Sequence, residues 1–535
     1  MFPLQLVILL PWSVLTVDAV PLSLAAAPVV DLGYELHQAT VNETGGYYNF
    51  SNIRYGASTA GNLRFAPPQP PSHSQPGRRR VNHGQSTAIC PGALPTWLDI
   101  AALFAVGLDY TQANTSTSTA DARTSEDCLL LDLVVPKAVL DGNLGAPVLV
   151  WIHGGGFVSG HKSEQGNGAG LVARSMEQGD EGIIYIAINY RLGLFGWLAG
   201  TVFAEQSGTP NVGLLDQRLA LEWVQKYVHL FGGNPGRVTV MAESAGAGAT
   251  VLHMAAASAA RPTAFQQAIL QSPWLLPPPP KAQQDSLYGD VLRLVNATTL
   301  SQLRHASMAT LHAVNTRLIA QAPYGTFVFG PTIDHTFAQG PAAPIATSSS
   351  IRLMLGHNSD EGILFTPPQA QSDSSFAPLL AQTLPSAAPS TLSLLATSLY
   401  PAASYASPLR RYATAYADAA VTCTTRRLSR GQHAYVWSVP PGWHALDQEY
   451  TFYDGPAHGN PLAAHMQRYF VNFVAAGDPA ARGPLPVPAP FPVYGDGAAK
   501  MLLNFSTAGV GVVQDDADAA ERCQRWIELD AGLWR

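Results

Sequence analysis

Residues 238–247 read Val-Thr-Val-Met-Ala-Glu-Ser-Ala-Gly-Ala. The β-branched run at the start predicts a strand, and the small residues 245–257 predict a helix. Only Ala242-Glu243-Ser244-Ala245-Gly246 joins them. A turn that tight needs small flanking residues. It holds the serine hydroxyl at a sheet edge beside a helix N-terminus, where negative charge is stabilised. The pattern is small-x-Ser-x-Gly, that of a nucleophile elbow. Ala242 stands where the first glycine is usual, which weakens the bare pattern. On this motif alone, a structural strand–helix turn is the competing reading.

Upstream lies Trp151-Ile-His-Gly-Gly-Gly-Phe157. A glycine run after a strand lets backbone N–H groups face a ligand without side-chain obstruction. Acyl transfer needs such donors where a carbonyl oxygen gains charge. The rival is a phosphate-cradling loop, but neither G-K-[ST] nor a G-x-G-x-x-G leading into a helix is present. His153 reads as structural rather than as a general base.

Further out, residues 146–152 (APVLVWI), 182–189 (GIIYIAIN), 237–242, 264–271 and 350–355 read as strands. Residues 214–230 carry apolar positions at helical spacing. Continuous apolar strands separated by helices predict an α/β fold with a large, mostly parallel sheet covered on both faces. Residues 286–320 and 374–420 read as helical, with proline joints at 277–280 and 367–368. They are expected to be insertions in one large domain, because candidate reactive residues lie on both sides of them. Residues 484–492 read as a surface loop, and the chain shows no internal repeat.

Four stretches together resemble the type-B carboxylesterase/lipase family, the cholinesterase-like group of the α/β-hydrolase superfamily. They are Ser125-Glu-Asp-Cys-Leu-Leu-Leu-Asp132, His153 to Phe157, Asn189-Tyr-Arg-Leu-Gly193, and 211–247 with Phe231-Gly-Gly-Asn-Pro235 and Glu243-Ser-Ala-Gly246. The resemblance runs from about Leu32 to Cys523. It implies an α/β-hydrolase fold whose helical insertions form the substrate pocket. It implies Ser244 as nucleophile, with Gly155, Gly156 and Ala245 giving oxyanion N–H groups. The family's acid sits in an Asp-Glu-Gly turn after a strand. That turn matches Gly356-His-Asn-Ser-Asp-Glu-Gly362, so Glu361 is implied, with Asp360 its local competitor. Family histidines precede a glycine. Pro456-Ala-His-Gly-Asn460 points to His458, with His444 and His465 as rivals. The family often has an acid three residues after this histidine, and Pro461 stands there instead. The order Ser244, Glu361, His458 fits the chain order of the superfamily. Glu243 and Ser272 match family positions beside the reacting groups, or are simply satisfied core polar residues.

The cysteines are Cys90, Cys128, Cys423 and Cys523, and none has metal-site spacing. In an oxidising compartment the simplest pairing is Cys90–Cys128 and Cys423–Cys523; in a reducing one, four buried thiols are expected. The resemblance makes loop 90–128 a lid-like segment, with an amphipathic helix over 96–106 that is either a moving flap or a fixed gorge wall. It makes the second bridge a tie on the C-terminal helix.

Residues 4–20 form an apolar run followed by small residues, so 1–19 reads as a signal peptide and 20–535 as the mature domain. Sequons at Asn42, Asn49, Asn114, Asn296 and Asn504 fit a secreted glycoprotein. The net charge is −7, from 30 basic and 37 acidic residues, which gives no footprint for nucleic acid. No later apolar run is long enough for a membrane span. The expected protein is a secreted serine hydrolase of carboxylic esters, an esterase or lipase acting on small-molecule or lipid esters, with transient contact to a lipid interface. No metal or other cofactor is implied. Two alternatives differ in kind. One is an acyltransferase using the same residues; the other is a non-catalytic adhesion protein, which would usually lack the serine.

Overall fold

The computed structural model describes residues 27–72, 81–107, 109, 121–177, 182–258, 261–334, 337–338, 351–456, 459–480, 486–495 and 500–533. The predicted leader, Asn114 and His458 lie outside these residues. A small sheet contains β1 (Val29–Asp31), β2 (Leu36–Gln38) and, later in the chain, β5 (Val81–Asn82). The main sheet begins with β3 (Thr40–Asn42), β4 (Tyr47–Arg54), β6 (Leu130–Pro136), β7 (Ala146–Ile152) and β8 (Ile184–Ile188). It continues with β9 (Gly233–Glu243), β10 (Gln267–Gln271), β11 (Arg352–Asn358), β12 (His433–Trp437), β13 (Met501–Ser506) and β14 (Gly509–Gln514). Among the described residues the order across it is β14-β13-β12-β11-β10-β9-β7-β8-β6-β4-β3.

The strands from β8 through β13 in that order are parallel, and the strands at both edges are antiparallel. The difference is written in the side chains. Every residue of β7, β8 and β10 is buried; β7 and β8 are apolar throughout, and β10 is apolar between Gln267 and Gln271. On β14 no residue is fully buried, which suits an edge. Alternation along β7 splits its side chains between two cores. Val148, Val150 and Ile152 join the one containing the helix Ser244–Ala255. Leu149 and Trp151 join the one containing Met466, Tyr469, Phe470 and Phe473 of the helix Pro461–Ala476.

Strand β9 passes directly into the helix Ser244–Ala255. The helix lies close against its neighbours because it is made of small residues. A Cβ on Gly246 would fall 2.3 Å from the Ile152 carbonyl oxygen, and one on Gly248 would fall 2.1 Å from that of Trp274. The register aligns Ile152 with Ala242, and Gln271 with both Glu243 and Gly356. The C-terminal ends of β7, β9, β10 and β11 therefore open at one edge, where sites in parallel sheets form.

Both expected disulfides, Cys90–Cys128 and Cys423–Cys523, are present. The helical insertions are more broken than their sequence suggests. Residues 286–320 belong to three helices, Lys281–Val295, Leu300–His305 and Met308–Ala320, divided by capped turns at Thr299 and Ser307. The segment 374–420 contains Asp373–Thr383, Pro389–Leu394 and Pro408–Ala417, with prolines starting the last two. Among the described residues no helix is long and apolar enough to cross a membrane.

The most deeply buried ion pair among the described residues braces the core. Arg191 Nε and Nη2 each donate to Asp216 at 2.7 Å, and Arg191 Nη1 donates to the Ala66 carbonyl at 3.0 Å. Asp216 is fully buried and Arg191 is 2% exposed. Removing one partner strands the other charge in the interior. Asp216→Ala is expected to lower stability by about 3–5 kcal/mol, measured by urea unfolding at neutral pH.

Candidate active site

Ser244 is the first helical residue after β9 and has φ +52°, a conformation few non-glycine residues adopt. The strain lifts its hydroxyl out of the turn, as a nucleophile elbow does. Glu361 is carried on the turn after β11 and is 2% exposed. Its Oε1 accepts from the Asn358 backbone N–H at 2.5 Å and from Ser272 Oγ at 2.6 Å. Asp360, its neighbour, is turned away and receives Arg410 Nη1 at 2.6 Å.

The imidazole between Ser244 and Glu361 is that of His444, which corrects the expectation of His458. His444 Nδ1 lies 2.5 Å from Glu361 Oε2, and His444 Nε2 lies 2.8 Å from Ser244 Oγ. The carboxylate accepts only, so Nδ1 carries a proton and donates it. In the neutral ring that leaves Nε2 to accept from the serine hydroxyl. The physical reason for the misreading is local. Ala445 follows His444 with φ +71°, doing what a glycine usually does there, so no His-Gly pair marks the site. One signal did exist. Asp447 stands three residues after His444, where Pro461 stands after His458. His465 lies on the helix Pro461–Ala476, near Arg468 and Arg174.

Asp447 is a buried neighbour of His444 that the sequence reading missed. It accepts from Tyr435 Oη at 2.7 Å, Gln271 Nε2 at 3.0 Å and Asn358 Nδ2 at 3.3 Å. These donors sit on β12, β10 and β11, so Asp447 ties the loop bearing His444 to three strands. Glu243 is also in place. Its Oε1 is 3.3 Å from His444 Nε2 and has no hydrogen-bond partner.

The glycine run lies against these groups. Gly155 and Gly156 have φ +96° and +61°. A Cβ on Gly154 would fall 2.6 Å from Glu243 Oε2 and 2.9 Å from Ser244 Cβ. Ala245 is in the first turn of the helix, where backbone N–H groups lack intrahelical acceptors. His153 is 1% exposed, stacks on Tyr190 with centroids 4.4 Å apart, and donates from Nδ1 to the Gly154 carbonyl at 2.9 Å. Burial depresses it to about 3, so it braces the loop as a neutral ring.

A profile of the carboxylesterase family matches residues 35–526. The chain belongs to the carboxylesterase family. Carboxylesterase patB of Aspergillus clavatus is 39% identical over 99% of this chain and 100% of the relative. Carboxylesterase patB of Penicillium expansum is 35% identical over 95% and 96%. A secreted lipase of Arthroderma benhamiae is 30% identical over 76% and 83%. The crystal structure of EstA from Aspergillus niger superposes with a TM-score of 0.78 at 23% identity, covering 95% of this chain and 99% of that one. That likeness establishes the α/β-hydrolase fold. The protein is a carboxylic ester hydrolase.

In this carboxylesterase an apolar cavity of about 370 Å³ adjoins the glycine run. Phe157, Trp197, Trp274 and Phe327 line it, and Gln283, Gln284 and Gln382 are also in its wall. Phe327 presses on Gly156, where a Cβ would fall 2.3 Å from its ring. The helix Trp97–Ala105 is fastened beside it. Trp97 Nε1 donates to the Thr326 carbonyl at 2.9 Å, and Thr96 Oγ1 donates to that of Ala320 at 2.7 Å.

The electrostatics favour a protonated imidazole. Burial works to lower the His444 pKa, but the charges of Glu361 and Glu243 outweigh it and hold it up, at about 9. Burial likewise works to raise Glu361, and the His444 charge with the hydrogen bonds from His444, Ser272 and Asn358 brings it below its ordinary value. Burial pushes Glu243 up to about 8. A general base must be neutral, so the acid limb of kcat/KM is expected above the ordinary histidine value of about 6.5. The Glu243 charge raises His444, so Glu243→Gln is expected to move that limb to lower pH. A pH–rate profile on p-nitrophenyl acetate measures this, and an unmoved limb means Glu243 carries no charge while His444 titrates.

Proposed function

We propose that this carboxylesterase works through an acyl-enzyme formed on Ser244, with His444 as general base and acid and Glu361 as its partner. The observation that carries this reading is a single imidazole bonded to the serine through one nitrogen and to the carboxylate through the other. His444 takes the hydroxyl proton as Ser244 Oγ attacks the ester carbonyl. Glu361 fixes the tautomer and stabilises the imidazolium that forms. The N–H groups of Gly155, Gly156 and Ala245 receive the oxyanion. His444 then gives its proton to the leaving alcohol, and water repeats the sequence to release the acid. Ser272 positions Glu361, and Asp447 positions the loop of His444.

The apolar cavity supports esters with a sizeable apolar group. The hydrogen bonds that fasten Trp97 and Thr96 favour a fixed gorge wall over a moving flap for loop 90–128. We also propose secretion as one mature domain after a leader at 1–19. Support comes from two disulfides, a relative named a secreted lipase, and an exposed sequon at Asn296 in a helix C-cap. The other described sequons are less open. Asn42 Nδ2 is bonded to Tyr47 Oη at 2.8 Å, Asn49 lies half-buried within β4, and Asn504 Oδ1 is buried on β13.

The test is hydrolysis of p-nitrophenyl esters from acetate to palmitate. Ser244→Ala and His444→Ala are each expected to lose about 10⁴-fold or more in kcat while remaining folded. With an alcohol added, free acid is the expected main product. Predominant new ester would make the protein an acyltransferase instead.

A further inference from the structure

The N–H groups of Gly155 and Gly156 are aimed by the carbonyls that precede them. In a trans peptide the C=O of one residue and the N–H of the next point in opposite directions. Whatever holds the Gly155 carbonyl therefore sets the direction of the Gly156 N–H. By the same rule the Gly154 carbonyl, held by His153 Nδ1 at 2.9 Å, sets that of Gly155.

The Gly155 carbonyl is the more heavily held of the two. It accepts from the backbone N–H groups of Val158 at 3.1 Å and Ser159 at 3.0 Å. Ser159 Oγ donates to it as a third partner, at 3.0 Å. All three donors come from one tight turn. A Cβ on Gly155 would fall 2.3 Å from the Ser159 carbonyl oxygen and 2.8 Å from Ser159 Oγ, so the turn closes only on a glycine. The body of the protein fastens this turn. The Phe157 carbonyl accepts from the Gly193 N–H and the Val158 carbonyl from the Ala93 N–H, each at 2.9 Å.

Among the described residues the Ser159 hydroxyl has no other hydrogen bond. Among the same residues the N–H groups of Gly155 and Gly156 have no acceptor, so both are open to a substrate oxygen. A carbonyl that accepts three hydrogen bonds draws electron density from its own peptide group, which makes the N–H on the far side a stronger donor. The Ser159 hydroxyl thus affects the Gly156 N–H in two ways, through its direction and through its polarity.

We propose that Ser159 is a positioning residue for ester cleavage, holding the Gly155 carbonyl so that the Gly156 N–H meets the oxyanion formed when Ser244 attacks. This rests on the reading of Gly155 and Gly156 as oxyanion donors. Ser159 acts through Gly155 and transfers no proton. Its effect grows as negative charge gathers on the substrate oxygen, so it strengthens the transition state and leaves ground-state binding alone.

The experiment compares wild type, Ser159→Ala and Ser159→Thr, with an alkyl trifluoromethyl ketone and the matching carbinol as inhibitors. With the ketone, Ser244 Oγ bonds to the carbonyl carbon, its proton passes to His444, and the carbonyl oxygen becomes an oxyanion. The carbinol has a similar shape and forms no such bond. Ser159→Ala is expected to weaken the ketone by about 3- to 10-fold and to leave the carbinol unchanged. On p-nitrophenyl acetate its kcat is expected to fall by the same factor with KM unchanged. Ser159→Thr keeps the hydroxyl and is expected to stay near wild type. Ketone affinity that Ser159→Ala leaves intact overturns the proposal. So does equal weakening of ketone and carbinol, which marks a general distortion, and so does an equal loss in Ser159→Thr. None of these outcomes touches the reading of Ser244. A wild type that binds the ketone no better than the carbinol overturns that reading, and this proposal with it.

Discussion

The contact between His444 Nδ1 and Glu361 Oε2, at 2.5 Å in a buried setting, is the constraint on which the site depends. It joins a loop after β12 to a turn after β11. It also fixes which ring nitrogen is left for Ser244, at the end of β9. Three strand ends must therefore arrive together, and the parallel register of β9 through β12 is what delivers them. A shift of one residue between β10 and β11 would carry Ser272 away from the carboxylate it holds. The cores on the two sheet faces matter to function for this reason, since they lock the register by alternating side chains.

Several buried acids gather around one imidazole. Glu361, Glu243 and Asp447 all lie within the same small volume, and each has a different means of being tolerated. Glu361 is satisfied by Ser272, the Asn358 backbone N–H and the imidazole. Asp447 is satisfied by a tyrosine and two amides. Glu243 has an oxygen without a hydrogen-bond partner, and burial drives it toward its neutral form. The arrangement raises the basicity of His444 while leaving Ser244 Oγ as its neighbour at hydrogen-bond distance. Strain at Ser244, with φ +52°, is the local cost of exposing that hydroxyl.

Much of this was legible in the sequence because it rests on local patterns. Ser244 lies in a strand–turn–helix motif, the glycine run follows a strand, and Glu361 lies between an apolar strand and Gly362. The continuous apolar runs at β7 and β8 announced a sheet buried on both faces. The histidine was less legible because its turn breaks the local rule. Ala445 takes a left-handed conformation that glycine normally supplies, while the true His-Gly pair at His458 and Gly459 attracts the eye. The better criterion was three residues further on, at Asp447, whose role depends on partners from three strands. The antiparallel strands near the N-terminus escaped notice for a related reason. Strand β4 reads Tyr-Tyr-Asn-Phe-Ser-Asn-Ile-Arg, mixes polar and apolar residues at both sets of alternate positions, and is bulged in its pairing with β6. Its place is set by β6 rather than by its own periodicity.

The most direct test of the account is the rate of covalent labelling of Ser244 by an alkyl fluorophosphonate, followed by mass spectrometry of the peptide that carries it. The reagent needs the activated serine but no ester turnover. The account predicts labelling of His458→Ala at the wild-type rate, and slowing of His444→Ala by about 100-fold or more. Rapid labelling of His444→Ala together with loss in His458→Ala would contradict it.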